Sequence, residues 1–427
     1  MNSGPATGRG VNGYVLAGTA VGALLVAVIA ALLLSPDQGL PVPDPAAAAR
    51  VIADRFTPAE LSQAGDYRSW GRLIGVATLI TQFAALGFLA FWRGGPMRRM
   101  LERLGRRPLV GAQAVGAGIS LVLALVDLPF NVAAWKLGRD YGLISQALGP
   151  RLFDWLLSAL ITMVPAALGA LIAMALWRRL RGRFWIAASA LIAVWAVVTT
   201  WLWPVVVAPI FNDFEPLPAG PARSEVLRLA DRAGVEVGEV YVVDASRRSS
   251  TVNAYVNGIG SSKRVVIYDN AIRDLTPAEF SALIAHELGH VEADDLRRGL
   301  TFALLVIPLG VLFVQMATGA VMCRNGDDPR GPALVPVLAL WMTLAVFVLQ
   351  VPGNALSRQV EAKADRFSVS LTGDPQGLVD LQVGLAKANL SDVDPPSLWQ
   401  FLFGTHPSTL DRIAIAEGAK VSVRNES

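Results

Sequence analysis

Long apolar runs alternate with polar stretches along this chain. Seven runs are apolar enough and long enough to cross a bilayer as helices, since a hydrocarbon core of about 30 Å takes roughly 20 helical residues. They cover residues 14–34, 70–92, 109–130, 152–177, 184–209, 300–322 and 333–351. The two longest polar stretches, 211–298 and 354–427, follow the fifth and seventh runs. This pattern predicts a mainly α fold, a polytopic membrane helix bundle of about seven spans that carries a polar region built from two separated segments.

The first run, 14–34, has the features of either a membrane anchor or a cleaved signal peptide. Its apolar stretch exceeds the roughly 7–15 residues of a signal peptide, and no A-x-A cleavage site follows it. We therefore expect an uncleaved anchor.

Composition and charge support an integral multi-pass membrane protein. Hydrophobic residues make up 53% of the chain and charged residues only 17%, whereas soluble proteins average about 25% charged residues. Basic residues gather in the short loops after the second and fourth runs, as Arg93, Arg98, Arg99, Arg103, Arg106, Arg107 and as Arg178, Arg179, Arg181, Arg183. Short Arg-rich loops tend to stay cytoplasmic, so we expect an orientation signal and no nucleic-acid partner. Only five of the 37 basic residues are Lys, a bias typical of a GC-rich bacterial genome and hence of a bacterial cell membrane.

The polar stretch 211–298 predicts a small α+β unit. Three runs read as strands, at residues 239–243, 249–257 and 263–268. Residues 257–260 have the composition of a turn. Thr276, Pro277 and Glu279 predict a helix entry with a capping box, and the helix should end before Asp294. An extended peptide can pair with the strand at 250–255 if that strand lies at a sheet edge, and an interior hairpin is the alternative.

The chain contains three histidines, and two of them, His286 and His290, lie four residues apart on the predicted helix. A step of four residues turns a helix by about 400°, so both imidazoles leave one face, where a single tetrahedral zinc ion can bind both. Glu287 then lies beside the ion, placed to act on its water. H-E-x-x-H is typical of zinc hydrolases, although two ordinary surface histidines give the same pattern.

A catalytic zinc site usually keeps three protein ligands, so one remains to be found. Glu361 and Asp365 lie four residues apart on an Ala- and Leu-rich helix in the second polar stretch. We interpret Glu361 as the third ligand and Asp365 as a carboxylate that accepts from a ligating imidazole. By themselves the two acidic residues also fit a solvated helix face.

Further motifs carry a resemblance to a known family. They are Leu128-Pro129-Phe130 with Tyr141-Gly142 and Gln146, residues 208–212 with Pro216-Leu217, residues 244–249 and 253–255, residues 263–269, residues 286–290, residues 354–365, and His406-Pro407 with Arg412-Ile413. Together they cover most of the chain, which resembles the integral-membrane zinc endopeptidases typified by the type I CAAX prenyl protease, a family of gluzincins.

The resemblance implies a zincin-like catalytic domain that binds one Zn2+ per chain. In that family the residues matching His286, His290 and Glu361 bind the metal, and the residue matching Glu287 is the catalytic carboxylate. Asp365 matches an acidic position described either as support for a ligand or as a proton donor.

The same resemblance implies an oxyanion-stabilising role for His406. It also implies an edge strand that binds substrate through Asn253, Ala254 and Tyr255. Some members carry a further histidine just after the zinc helix, where this chain has Asp294 and Asp295. We expect that departure to leave the ligand set intact and to change the rim of the site.

We expect hydrolysis of peptide bonds in membrane-associated or lipidated protein substrates. A general quality-control protease for membrane proteins is an alternative, because protein prenylation is not expected in a bacterium. A transporter with a structural zinc site is a second. Neither a fourth histidine nor a cysteine near the motif exists to close such a site. The main ionisable residue in the runs, Asp127, adjoins Leu128-Pro129, where a helix break or end is expected.

The expected domain boundaries follow the polar stretches. Residues 1–208 form a five-span region, 209–298 a catalytic region, 299–352 two further spans, and 353–427 a segment that completes the zinc site. The Arg-rich loops place the zinc domain outside the cytoplasm after five crossings, whereas the eukaryotic relatives are understood to work toward the cytosol. We favour the orientation that the Arg-rich loops predict. One membrane span more or less would reverse that orientation.

Overall fold

The computed structural model describes residues 13–36, 39–40, 44–92, 94–202, 206–257 and 264–426. Outside these ranges lie Arg93, residues 258–260 of the predicted turn 257–260, Lys263, and residues 203–205 of the fifth apolar run. The helices are α1 (Gly13–Leu34), α2 (Pro45–Arg55), α3 (Pro58–Phe91), α4 (Gly95–Gly105), α5 (Pro108–Asp140), α6 (Leu148–Leu180), α7 (Phe184–Leu202), α8 (Ala208–Phe211), α9 (Pro221–Arg232), α10 (Asp269–Asp274), α11 (Pro277–Glu292), α12 (Asp295–Asn325), α13 (Leu334–Thr372), α14 (Pro375–Ala388), α15 (Ser397–Phe403) and α16 (Thr409–Glu426). The strands are β1 (Phe214–Pro216), β2 (Glu239–Val243), β3 (Ala254–Asn257) and β4 (Arg264–Tyr268).

Six of the described helices are long and apolar enough to cross a membrane, namely α1, α3, α5, α6, α12 and α13. They coincide with six of the seven predicted spans. The remaining run, 184–209, contains α7, whose apolar part Phe184–Thr200 is shorter than a span of usual length. The mainly α polytopic fold is therefore confirmed, with six helices of spanning length in the described chain and one shorter apolar helix.

The prediction of a helix break or end beside Asp127 is wrong. Helix α5 continues through Pro129 to Asp140. A proline removes one backbone hydrogen bond from a helix, but in an apolar surrounding the backbone finds no water to replace the remaining bonds. Leaving the helix would therefore cost more than keeping the proline within it.

The four strands form one small sheet in the order β1-β2-β4-β3, so β3 lies at an edge. Strands β2 and β4 are parallel, and β3 pairs antiparallel with β4 through Ala254 and Ile267. The interior hairpin is thereby excluded. The strand predicted for 249–257 begins only at Ala254, because the Asn270 side-chain amide donates to the carbonyls of Ser249 and Thr251 at 2.9 and 3.1 Å.

Helix α11 begins as its capping box predicts. The Thr276 hydroxyl accepts from the Glu279 backbone N–H, and the Glu279 carboxylate accepts from the Thr276 N–H at 2.8 Å. Ile284 and Leu288 on α11 are fully buried in a core shared with β4, α14 and α16. This core fixes α11 between the sheet and the C-terminal helices, which determines where its histidines lie.

Helix α13 combines a membrane span with part of the polar region. It runs for 39 residues across position 352, with Pro352 inside it. Its last turns pack against α11 so closely that a Cβ at Gly289 would lie 3.1 Å from the Phe367 ring. The glycine therefore permits the approach that brings the two helices, and the side chains facing each other across them, together.

Candidate metal centre

The structure brings His286, His290 and Glu361 into one cluster. The two imidazoles project from the same face of α11, with their Nε2 atoms 3.2 Å apart and their rings perpendicular. From α13, the Glu361 carboxylate lies 3.3 Å from His286 Nε2 and 3.6 Å from His290 Nε2. One ligand atom from each of the three residues lies within 4.8 Å of the others, so a single metal ion fits among them.

The other nitrogen of each imidazole faces a carboxylate. His286 Nδ1 lies 2.9 Å from Asp365 Oδ1, and His290 Nδ1 lies 3.0 Å from Asp295 Oδ2. When a carboxylate accepts from Nδ1–H, the neutral ring keeps its lone pair on Nε2. Both lone pairs are then directed at the space beside Glu361, as metal ligation requires.

The electrostatics of this cluster favour a cation. Burial lowers the pKa of His286, but the carboxylates of Asp365 and Glu361 outweigh burial and raise that pKa to about 10. The Glu361 Oε2 atom is buried and accepts no hydrogen bond from the described residues. A buried carboxylate oxygen in that position is costly unless a cation binds it. The residues present therefore fit a divalent metal ion.

Asp365 is held by an arginine for which no role was predicted. The Arg412 guanidinium, on α16, donates to both Asp365 oxygens at 2.8 and 2.6 Å. The Asp365 side chain is completely buried and that of Arg412 is 13% exposed. The sequence pointed to Arg412 only as part of the family motif Arg412-Ile413, without a function. Asp295 was noted as a departure at the rim, yet its contact with His290 depends on a turn that the spacing does not predict.

Glu287, between the two histidines on α11, is largely but not completely buried. Burial raises its pKa above the usual range, and the opposing effect of His286 and His290 does not cancel this shift. A carboxylate with a raised pKa holds a proton more readily near neutral pH, which suits proton transfer.

His406 lies on the other side of Glu361, in the loop between α15 and α16. Its Nε2 is 3.4 Å from Glu361 Oε1, and its Nδ1 is 2.9 Å from the Thr405 hydroxyl. The loop is fixed from α13, because Arg358 donates to the Gly404 carbonyl at 2.5 Å. The His406 side chain is 59% exposed, so it can face a molecule that enters the site.

A cavity of about 760 Å³ adjoins this cluster. His406, Arg412 and Asn253 contribute to its lining, so the residue just before β3 opens into the same space. The next two predicted substrate residues do not contribute to that lining. Ala254 is 2% exposed, and burial raises the pKa of Tyr255 to about 12.

Comparison with known proteins places these features in a family. The sequence model described as Peptidase family M48 matches residues 216–420, and the one described as CAAX prenyl protease N-terminal, five membrane helices, matches residues 45–213. The uncharacterized metalloprotease YhfN of Bacillus subtilis is 31% identical over 306 residues, which cover 70% of this chain and 71% of its own. The CAAX prenyl protease 1 homolog of Arabidopsis thaliana is 28% identical over 350 residues, which cover 75% and 77%.

A solved structure shares the fold. The crystal structure of S. mikatae Ste24p matches with a TM-score of 0.76 and 18% identity, covering 95% of this chain and 98% of that chain. The sequence matches extend over both the membrane helices and the catalytic region, as the predicted resemblance requires. This chain therefore belongs to peptidase family M48 and is a multi-pass membrane metalloprotease.

Proposed function

We propose that this metalloprotease is a zinc-dependent endopeptidase that holds one Zn2+ per chain through His286, His290 and Glu361. The observation that carries the proposal is the convergence of two Nε2 atoms and a buried carboxylate, with both Nδ1 atoms directed at other carboxylates. Two nitrogens and one oxygen at this spacing match the three-ligand sites of zinc hydrolases. The cluster contains three such residues, which leaves a position open for chemistry and argues against a closed structural site in a transporter.

Zinc bound there would lower the pKa of a water molecule toward about 7 and polarise the scissile carbonyl. Glu287 takes the proton from the attacking water, because it lies between the two ligating histidines on α11, whereas Asp365 and Asp295 are engaged at the Nδ1 atoms of those histidines. Its raised pKa then lets the protonated side chain donate to the leaving amine.

His406 donates to the oxyanion that develops on the substrate. Its Nδ1 faces the Thr405 hydroxyl, so a neutral ring that accepts there carries its proton on Nε2, the atom closest to Glu361. Asp365 acts as support for His286. A side chain with no exposed surface, already bound by Arg412, cannot reach a substrate to donate a proton.

The substrate binds as an extended peptide at the edge formed by β3, where the segment Asn253, Ala254, Tyr255 offers main-chain groups. Edge addition supplies affinity through backbone hydrogen bonds and tolerates many side-chain sequences. Asn253 leads from this edge into the cavity that also contains His406. The catalytic unit comprises residues 209–298 and 353–427, with the membrane regions 1–208 and 299–352 beside it.

The substrates are membrane-associated proteins, including lipidated ones, and the enzyme resides in a bacterial cell membrane. The membrane helices that enter and leave the catalytic unit support membrane-associated substrates. The CAAX prenyl protease name of the Arabidopsis thaliana relative supports lipidated ones. The Arg-rich composition and the Bacillus subtilis relative support the bacterial membrane.

A pair of variants tests the catalytic assignment. Glu287→Gln should keep zinc, measured by metal analysis of detergent-purified protein, and should lose at least about 10²-fold in peptide cleavage. His286→Ala should lose the metal itself. Near-normal cleavage by Glu287→Gln, or full zinc content in His286→Ala, would refute the corresponding role.

A peptide library tests the substrate class. Peptides with the same sequence are presented with and without a prenyl group in nanodiscs that contain the wild-type protein. Faster cleavage of the prenylated set supports lipidated substrates, whereas equal rates on both sets favour a general protease of membrane proteins.

A further inference from the structure

The connection between the metal-binding helix α11 and the next membrane helix, α12, is very short. Helix α11 ends at Glu292 and α12 begins at Asp295, two residues after Ala293 caps α11. Asp294 lies between them in the left-handed region, with φ 53°. Aspartate is one of the few residues with a side chain that visits this region at modest cost. The turn reverses the chain enough to bring the first residue of α12 back against the last turn of α11.

The result is a contact between Asp295 and His290. Asp295 Oδ2 lies 3.0 Å from His290 Nδ1, and the Asp295 side chain is only 9% exposed. Its other oxygen lies 3.4 Å from Arg298 Nη1, a distance typical of an ion pair more than of a hydrogen bond. Arg298 and the first turn of the 31-residue helix α12 both stabilise a negative charge at this position.

We propose that Asp295 is a positioning residue for the metal, acting through His290. The proposal rests on the zinc site proposed above and extends it to a residue outside the ligand set. Asp295 accepts from Nδ1–H, which fixes the ring orientation and keeps the Nε2 lone pair directed at the ion. It also makes the imidazole a stronger ligand, because the negative charge increases the basicity of the opposite nitrogen.

The two histidines differ in how far their rings are buried and in how their carboxylate partners are held. The His286 side chain is 7% exposed, and its carboxylate partner is enclosed and bound by an arginine. The His290 side chain is 25% exposed, and Asp295 is the partner of its Nδ1 among the described residues. Without Asp295, the His290 ring can rotate toward solvent. We therefore expect the loss of this carboxylate to weaken metal binding strongly.

The chain offers a matched control one residue away. Asp294 also follows the metal helix and also pairs with an arginine, since its Oδ2 lies 2.9 Å from Arg297 Nε, but its side chain is 55% exposed and contacts neither histidine. Asn tolerates the left-handed region as Asp does, so Asp294→Asn keeps the turn and removes the same charge.

The test is zinc affinity of the full-length protein in detergent, measured by competition with a chelator. Asp295→Ala should raise the dissociation constant for zinc by about 10–100-fold, while Asp294→Asn should stay within twofold of wild type. The visible spectrum of the cobalt-substituted protein should shift in Asp295→Ala, because a change in ligand orientation changes the cobalt geometry. Asp295→Asn, which keeps an acceptor, should fall between the two and serves if the alanine variant does not fold.

The outcomes separate the two proposals. If His290→Ala loses zinc while Asp295→Ala and Asp295→Asn bind it as tightly as Asp294→Asn does, the positioning role is overturned and the ligand set stands. If His290→Ala itself binds zinc like wild type, both proposals are overturned.

Discussion

Replacing Arg412 by methionine tests how the metal site is supported from behind. Arg412→Met keeps the unbranched apolar part of the side chain and removes the two hydrogen bonds, 2.8 and 2.6 Å long, that hold Asp365. The change leaves a carboxylate with no exposed surface, and among the described residues His286 remains as its partner. Removing one partner of a buried ion pair typically costs about 3–5 kcal/mol of the free energy of unfolding.

For Arg412→Met, the structure indicates a loss of unfolding free energy at the lower end of that range. In metal-free protein at pH 7, His286 is protonated, since its pKa lies near 10, and the imidazolium partly compensates Asp365. We therefore expect a loss of about 3 kcal/mol in the presence of a chelator. The double variant Arg412→Met/Asp365→Asn should lose less than the sum of the two single changes, because it leaves no unpaired buried charge.

A surface pair provides the control, since Arg228 and Glu225 have the same geometry, with hydrogen bonds of 2.8 and 2.6 Å, but their side chains are 51% and 24% exposed. Arg228→Met should cost less than about 1 kcal/mol, because water solvates the remaining carboxylate. The assay is denaturant unfolding in mild detergent with a chelator present, followed by tryptophan fluorescence. An Arg412→Met variant that is no less stable than Arg228→Met would show that burial does not make this pair important.

Three further results are expected. His406→Ala should lower kcat by about 10²–10³-fold with little change in KM and no loss of zinc, and a raised KM at unchanged kcat would contradict an oxyanion role. Gly289→Val should separate α11 from α13 and lose the metal in metal analysis, because a Cβ there already lies 3.1 Å from Phe367, whereas Gly299→Ala, with open space around it, should keep the metal. Chelation should abolish cleavage and lower the unfolding temperature, and zinc at about 1,000 times its dissociation constant should restore about 4 kcal/mol of stability. An unfolding temperature indifferent to both chelator and zinc would argue against a bound metal.

Much of the membrane architecture could be predicted because an apolar run of about 20 residues by itself meets the length that a membrane-crossing helix needs. Six of seven runs form helices of spanning length. The prediction of a helix break or end at Pro129 was wrong because local propensity overestimates the helix-breaking effect of proline where no water is available to the backbone. The boundary drawn at residue 352 falls inside one helix, α13, since a change in hydropathy along a chain does not require a break in its backbone.

The candidate site was predicted where its parts are close in sequence. The spacing of His286 and His290 places both rings on one helix face in any helical conformation. The capping box at Thr276 independently predicts that helix. Arg412 had no such local pattern. It meets Asp365 only because α16 packs against α13, and its contribution depends on burial, which no single stretch of sequence reveals.

The sequence by itself determined that this protein has apolar helices long enough to span a bilayer and a helix with two imidazoles one turn apart, because both properties follow from periodicity within a few turns. The tertiary structure alone decided that Glu361 lies within 3.6 Å of both imidazoles, that Asp365 and Asp295 face their other nitrogens, and that β3 is an edge strand. Those features join residues that are far apart in the chain or lie across a tight turn, and the free energy that brings them together comes from the packing of α11, α13 and α16 around one buried core.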